Sequence, residues 1–462
     1  MEKSEIRKLG EWISQMSWEC MPSQVQEAVQ LRVLDLVSAA LGAVKDPLLE
    51  QVISSYRSRY GEGPACVWGR PERFPAEVAA KINAMLAHTL ELDDVHPASK
   101  THGSASIIPA AWAMAETLES SGQEFLTAVV CGYEVTARIG MALGVAAHRK
   151  KGWHATATCG IFGCAAAAAK LLKLDAEQTI SALGMAGTQS SGLWAFLGDG
   201  ASCKVLHPGH CAACGLDAAF LAAAGMTGPE HILDAEDGGL LKAMSDSYDC
   251  SKAGAGLGEV WEILNMDVKP YPCCRSVHCM IDAMFQIREE MEKEGRSAAD
   301  IKQVEIATYQ VGYQQCAVSK GCLEPQSPMD AKFSAPYGAA AALLFGKVTR
   351  EEFEPEAVSN PQLRALMKKI SVEPDEELTK EYPAHWGCRV RAEFFDGKKM
   401  EVRVQDPSGS SKNPLSQKQL EDKAKSLIGA AFPGREGEIA GEITKIGQWE
   451  RMKPLGSMES FQ

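Results

Sequence analysis

The chain lacks any run approaching the roughly 18 consecutive apolar residues that cross a membrane. Its first residues, MEKSEIRKLGEWISQMSW, carry charge at Lys3, Glu5, Arg7 and Lys8 and have no apolar stretch of signal-peptide length. A cytoplasmic protein is the expectation. Positive charge is in deficit, with 47 Lys and Arg against 60 Asp and Glu and a formal charge of -13. That balance disfavours nucleic acid and anionic membrane as partners, although a local group of His, Lys and Arg can still hold a small anion. Neither Gly-x-Gly-x-x-Gly nor a phosphate loop ending in Gly-Lys-Ser/Thr occurs, and the glycine-rich residues 192–200 do not follow a strand pattern. The Gly-x-Ser-x-Gly elbow of serine hydrolases is missing as well. Fifteen cysteines are an odd number without the spacing of a small disulfide framework, which suits reduced thiols used as core packing. Chemistry that needs no bound nucleotide, metal or organic cofactor is left: acid–base work by side chains.

What is present is ordinary globular material in quantity. A length of 462 residues predicts two domains, or one large domain with an insertion, and the 45% hydrophobic and 23% charged fractions are those of a globular protein. Apolar periodicity predicts helices over 4–16, 23–41, 46–60, 78–90, 107–118, 124–143, 158–172, 176–185 and 211–224, with Pro109 in a first turn. The texture changes after KPYPCCRS at 269–276. A helix over 278–294 precedes a strand at 301–309, where Val304, Ile306 and Thr308 share a face. After a helix over 331–344, residues 388–395 alternate again, and Asp396-Gly397 turns the chain into a paired strand at 400–404. The fold class is therefore mostly α. Residues 1–266 and 408–462 form a large all-helical domain, the latter with a helix over 415–431, and 267–407 form a smaller inserted α+β domain.

The polar stretch LELDDVHPASKTHGSASIIP at 90–109 lies between two apolar helices, which would press it against a core. Buried polar groups there must be paired or useful. Asp93, Asp94, His96 and His102 are its chemistry-bearing residues. Four other pieces join them: GWHATATCG with His154 before a helix that Thr156 or Thr158 can cap, GASCKVLHPGH with Lys204, His207 and His210, YPCCRSVH with Arg275 and His278, and MDAKFSAPYG with Lys332. Cations at 204, 275 and 332 suit carboxylates, and histidines move protons near neutral pH. A rival reading makes Cys203, His207, His210, Cys211 and Cys214 a zinc site in a non-catalytic helical scaffold. One Cys-x-x-Cys on an alanine-rich helix, without a second pair, favours packing instead, as for Cys159 and Cys164.

The pieces LELDDVHP, GYEVTARIG, GWHATATCGIFGCAAAAAKLLKL, KVLHPGHCAACG followed by LAAAGMTGP, KPYPCCRSVHCMIDA and DAKFSAPYG occur in an order that resembles the MmgE/PrpD family, from about Ser4 to about Met452. That family includes 2-methylcitrate dehydratase, cis-aconitate decarboxylase and iminodisuccinate epimerase. The resemblance implies a helical domain built from both chain ends, an α+β lid, a homodimer and no metal or organic cofactor. It implies an active site in the cleft between the domains with Asp93, His102, His154 and Lys204 as catalytic residues, the acidic position being open among Glu91, Asp93 and Asp94. By their own chemistry Arg275, His278 and Lys332 are candidate substrate contacts, together with Asp94 and His96, which also suit fixing the loop. Cys274 departs from the pattern, standing where a catalytic histidine of the decarboxylases falls, whereas His278 matches a second histidine of the motif. The expected reaction is loss of water from a small hydroxy di- or tricarboxylate after proton abstraction beside a carboxylate. Epimerisation of a dicarboxylate such as iminodisuccinate and decarboxylation of the cis-aconitate type are the alternatives.

Overall fold

Small residues decide how the helices of the first half meet. A computed structural model describes residues 3–456. In chain order it has α1 (Glu5–Gln15), α2 (Ser23–Gly42), α3 (Pro47–Arg57), a two-residue antiparallel pair β1 (Ala65–Cys66) and β2 (Arg73–Phe74), α4 (Ala76–Thr89), α5 (Gly103–Thr117) and α6 (Gly122–Leu143). There follow α7 (Val145–Lys150), α8 (Ala155–Leu171), α9 (Ala176–Thr188) and α10 (Leu206–Ala223). Helix α8 is the hub. Every residue of it except Lys170 is buried, and it packs against α5, α6, α9 and α10. Where it crosses α6, a Cβ on Gly163 would come within 2.6 Å of the Gly132 carbonyl oxygen and 2.0 Å of Thr136 Oγ1. Only a hydrogen at that position lets the two axes approach so closely, and alanine would push the helices apart.

Helix α6 has the length and apolar composition of a membrane span, which the broken run of apolar letters did not suggest, but 94% of the relevant window is buried inside the protein. Its charges are internal too. Arg138 donates to Glu134 at 3.1 Å and to the Val260 carbonyl at 2.6 Å, while the Ile263 amide donates to the other Glu134 oxygen at 3.2 Å. Burial nonetheless pushes the Glu134 carboxyl up to about 7.

By its internal contacts the chain divides into two units. One takes the chain up to Trp194, resumes over Cys203–Asp267 and again from Ser416; the other comprises Ala195–Ser202 and Val268–Leu415. The first is helical apart from β1 and β2. Its C-terminal helix Gln417–Ile428 lies on α2, with Lys423 donating to Asp35 at 2.6 Å and to the Leu92 carbonyl at 3.1 Å. The second unit has α11 (Arg275–Lys293), β3 (Ile301–Thr308), α12 (Pro328–Lys332), α13 (Ala335–Phe345), β4 (Ile370–Pro374), β5 (Cys388–Phe394) and β6 (Lys399–Val404). The sheet order is β4-β3-β5-β6, parallel between β3 and β4 and antiparallel elsewhere. Ile301, Val304, Ile306 and Thr308 all face the core because the register shifts between Ile301 and Gln303. A bulge moves the inward face by one residue.

Several elements differ from expectation, four of them instructively. Helix α5 begins at Gly103, so Pro109 lies inside it and removes one backbone bond to the preceding turn. The hydroxyls of Ser104 and Ser106 are buried and bonded, which lets this polar stretch be helical in the interior. Helix α10 starts at Leu206, five residues early, with Pro208 in its first turn, where proline is tolerated. The helix expected over 331–344 is two, α12 and α13, because Ser334 caps the second by accepting from the Tyr337 amide. Strand β4 carries no alternation in its letters since only Ile370 is buried on this edge.

Candidate active site

The loop after α4 is built to be rigid. Asp94, fully buried, accepts from the Ser104 hydroxyl at 2.6 Å and from the Tyr133 hydroxyl at 2.6 Å. His96 lies 2.8 Å from Ser99 Oγ and 3.1 Å from Glu262, and Val95 pairs with Asp267 across the backbone. Asp94 and His96 are thus bonded to protein partners, which suits fixing the loop. Burial raises the Asp94 carboxyl above its usual range despite those donors.

With the loop held, Asp93 sits between two imidazoles. One of its oxygens is 2.8 Å from His88 Nδ1 and 3.1 Å from His102 Nδ1. His102 Nδ1 also meets the Asp94 carbonyl oxygen at 2.7 Å. A nitrogen facing a carboxylate and a carbonyl must carry the proton, which leaves the lone pair of His102 on Nε2. The ring is partly exposed while Asp93 is not, so the basic nitrogen belongs to the only part of the pair with access to solvent. His102 is placed by its position at the start of α5, where its amide donates to Thr156 Oγ1 at 3.1 Å. Thr156 is therefore no cap for α8, and neither is Thr158, whose hydroxyl contacts His148 Nε2 at 3.1 Å.

His154 occupies the position before α8. A short ladder fixes it: its amide donates to the Gly192 carbonyl at 3.0 Å, and the Trp194 amide donates to Gly152 at 2.8 Å. The ladder needs glycine at 192, where φ is +106° and a Cβ would fall 2.2 Å from that of Ala157. His154 Nδ1 lies 2.8 Å from His207 Nδ1, its ring centroid is 4.8 Å from that of Trp194, and it is 6.5 Å from that of His88. Burial and then the Lys204 ammonium hold His154 well below the usual histidine range, and burial takes His207 down to about 4. Both rings are neutral at pH 7, so one donates and the other accepts in the shared bond.

Lys204, also buried, forms an ion pair with Glu91. Glu91 has φ +57°, a left-handed conformation that a non-glycine residue adopts only under local constraint, and this turn at the end of α4 aims its carboxylate inward. Among the three acids open for the catalytic position, Glu91 pairs with the lysine, Asp93 orients imidazoles and Asp94 anchors the loop. Asp93, His102, His154 and Lys204 therefore come together, joined by Glu91, His207 and His88. His88 was missed, because a single histidine in an apolar helix reads as core. Its only sequence signal is its place in the last turn of α4, facing the acidic loop. Its Nε2 is buried and has no hydrogen-bond partner.

Among the described residues, His88, Asp93 and His102 are the one group whose ligand atoms, all within 4.8 Å of one another, can surround a cation. The Asp93 oxygen is hydrogen-bonded to His88 Nδ1 and lies 3.1 Å from His102 Nδ1, so it sits between the two rings. The zinc alternative does not assemble: Cys203 is exposed, Cys211 Sγ donates to the Ala157 carbonyl at 3.0 Å, and Cys214 lies 3.5 Å from His210.

In the second unit, Arg275 opens α11 and is buried. It donates to the carbonyls of Ser408 at 2.8 Å and Pro407 at 3.3 Å, and to His278 Nδ1 at 3.0 Å. The two-point fork expected for a substrate carboxylate is thus engaged by backbone in this conformation. His278 Nε2 in turn donates to the Cys273 carbonyl at 3.3 Å. Lys332 ends α12, its carbonyl accepting from the Cys274 amide at 2.8 Å.

The family description "MmgE/PrpD N-terminal domain" matches residues 7–252 and "MmgE/PrpD C-terminal domain" matches 271–445. The cis-aconitate decarboxylase-like protein oryM of Aspergillus oryzae is 29% identical over 452 residues, covering 93% of this chain and 92% of that protein. Cis-aconitate decarboxylase of Homo sapiens is 30% identical over 403 residues, 85% of this chain and 81% of its own. The 2-methylcitrate dehydratase of Salmonella typhimurium is 30% identical over 162 residues, 34% of this chain and 33% of its own. With both family domains matched in order along most of its length, this chain belongs to the MmgE/PrpD family.

Proposed function

We propose that the protein is a lyase that acts on a small polycarboxylate by removing a proton from the carbon beside a carboxylate. The observation that carries this reading is the setting of His102 Nδ1, 2.7 Å from the Asp94 carbonyl oxygen and 3.1 Å from Asp93, which assigns the proton to Nδ1 and the lone pair to Nε2 as the base. Proton removal drives charge onto the adjacent carboxylate, and the buried Lys204 ammonium is the cation available to stabilise it in a site of low dielectric. His154, neutral and tied to His207, serves as the second proton carrier: its ring takes up a proton and passes it on to the leaving hydroxyl or to carbon. General acid–base catalysis supplies about 10²–10⁴-fold, so positioning and Lys204 must supply more.

Loss of water from a hydroxy di- or tricarboxylate is the leading reaction, since Cys274 stands where the decarboxylases are read to carry a histidine. Decarboxylation is the second reading, favoured by the length over which the decarboxylase relatives align. The test is incubation of the purified protein in deuterated water with citrate, methylcitrate, cis-aconitate, malate, tartrate and iminodisuccinate. A new alkene with no gas release means dehydration, carbon dioxide means decarboxylation, and label exchange with loss of stereochemistry and no alkene means epimerisation. His102→Gln and His154→Gln should each remove turnover while leaving the fold intact; wild-type rates in either variant would overturn the assignment.

A further inference from the structure

The acid–base cluster leaves one charged side chain beside it without a task. Helix α7 and the residue after it carry the run His148-Arg149-Lys150-Lys151 in a chain whose formal charge is -13. Three members of the run have explanations. His148 is buried against Thr158, Lys151 pairs with Asp246 at 2.7 Å, and Lys150 is exposed to solvent. Arg149 is partly buried, its guanidinium carbon 4.4 Å above the centroid of the Trp194 ring. Its Nε is buried with no hydrogen-bond partner. Burial alone lowers its pKa, with no neighbouring carboxylate acting against it. Other arginines of the same unit are treated differently: Arg7 binds Glu177 and Glu230, Arg70 binds Glu50 and Glu72, and Arg138 binds Glu134.

A guanidinium drawn partly out of water without an anion is unfavourable, and stacking on an indole offsets only part of the loss. The position makes the imbalance informative. Trp194, whose face Arg149 covers, sets its ring at 72° to the His154 ring with 4.8 Å between centroids. The ladder between Gly152 and Trp194 that fixes His154 fixes the indole as well. Arg149 and the proposed proton carrier therefore contact the same side chain. The N–H donors of a guanidinium lie in its own plane, where a planar carboxylate can meet them in a two-point fork.

We propose that Arg149 binds the substrate carboxylate remote from the carbon that is deprotonated, with Trp194 as the platform that orients the guanidinium. This rests on the polycarboxylate reading above and adds to it a specificity-determining residue. It assigns to the first unit a forked cation that Arg275, engaged with the Pro407 and Ser408 carbonyls, does not offer in this conformation. Lys204 stabilises the carboxylate where charge builds, and Arg149 holds the other end.

The test compares wild type, Arg149→Gln and Arg149→Lys. Tricarballylate, a tricarboxylate with no hydroxyl to eliminate, is titrated into each by calorimetry, and melting temperatures are measured in parallel. Arg149→Gln should weaken binding by about 10- to 100-fold, the range expected when a charge-assisted pair is lost, at an unchanged melting temperature. Arg149→Lys, which keeps the charge but not the fork, should recover part of the affinity. For whichever substrate is turned over, Arg149→Gln should raise KM while kcat changes little, a split that a clamp for Trp194 would not produce. Equal tricarballylate affinity in wild type and Arg149→Gln, with or without a lower melting temperature, overturns the assignment and leaves the polycarboxylate reading standing. No binding or turnover of any polycarboxylate by wild type overturns that reading, and this inference with it.

Discussion

Replacing Lys204 by methionine removes one half of an ion pair whose two side chains are each only 2% exposed. Glu91 then keeps its buried position without the ammonium that balanced it, and breaking a buried pair from one side costs about 3–5 kcal/mol. Against a typical stability of about 5–15 kcal/mol, that is a large fraction. Glu91→Gln alone should destabilise in the same direction, because the lysine is then the uncompensated charge. Lys204→Met with Glu91→Leu leaves neither charge to desolvate, and its stability should return to within about 1–2 kcal/mol of wild type. Catalysis should not return with it, since the cation that stabilises the developing carboxylate charge is still missing. The Lys204 ammonium, after burial, is also what holds His154 low, so in the double variant the His154 imidazole should titrate at a higher pH. Urea denaturation followed by far-ultraviolet circular dichroism gives the stabilities, histidine proton resonances give the titration, and turnover is measured on the folded double variant. Unchanged stability in Lys204→Met, or wild-type turnover in the double variant, would refute the reasoning.

Acid should destabilise the protein through its buried neutral histidines. Burial takes His148 down to about 4, against about 6.5 in the unfolded chain, so above pH 6.5 neither state binds the proton; as pH falls below 6.5 only the unfolded chain does, and folding loses about 2 kcal/mol from this residue by pH 5. His148→Gln should therefore show a stability loss between pH 7.5 and pH 5 that is smaller by about that amount, and an identical pH dependence in denaturant melts would contradict the linkage. Tyr133→Phe removes the hydroxyl that donates to buried Asp94 at 2.6 Å; it should cost about 1–3 kcal/mol in urea melts and raise the Asp94 carboxyl further. Gly192→Ala puts a methyl group 2.2 Å from the Ala157 Cβ at a φ of +106°, which should cost about 1–3 kcal/mol and lower turnover together, because the Gly192 carbonyl holds the His154 amide; a fully active, equally stable variant would contradict the role of the ladder.

The sequence by itself determined whatever depends on local chemistry. Apolar periodicity specified the helices of the first unit, alternation and the Asp396-Gly397 turn specified the β5–β6 pairing, and the odd polar composition of 90–109 marked the loop that carries Asp93 and His102. Helix ends were less legible. Pro109 and Pro208 signal first turns or breaks in isolation, and only burial decided how far α5 and α10 extend on either side of them. The edge strand β4 left no trace because its pairing comes from β3, not from its own letters. At the site, the residue types were readable but their assignments were not. Three acids within four positions are chemically alike, and it took the left-handed turn at Glu91 to send that one to Lys204, Asp93 to the imidazoles and Asp94 to Tyr133. His88 and Arg149 look like a core histidine and a surface arginine in the sequence. The difference is made by what surrounds them, a carboxylate shared with His102 in one case and an indole shared with His154 in the other. Asp93 and His102 follow His88 within 14 residues but reach it only through the folded loop, and Trp194 lies 45 residues from Arg149, so only tertiary packing brings these groups within hydrogen-bonding or stacking range.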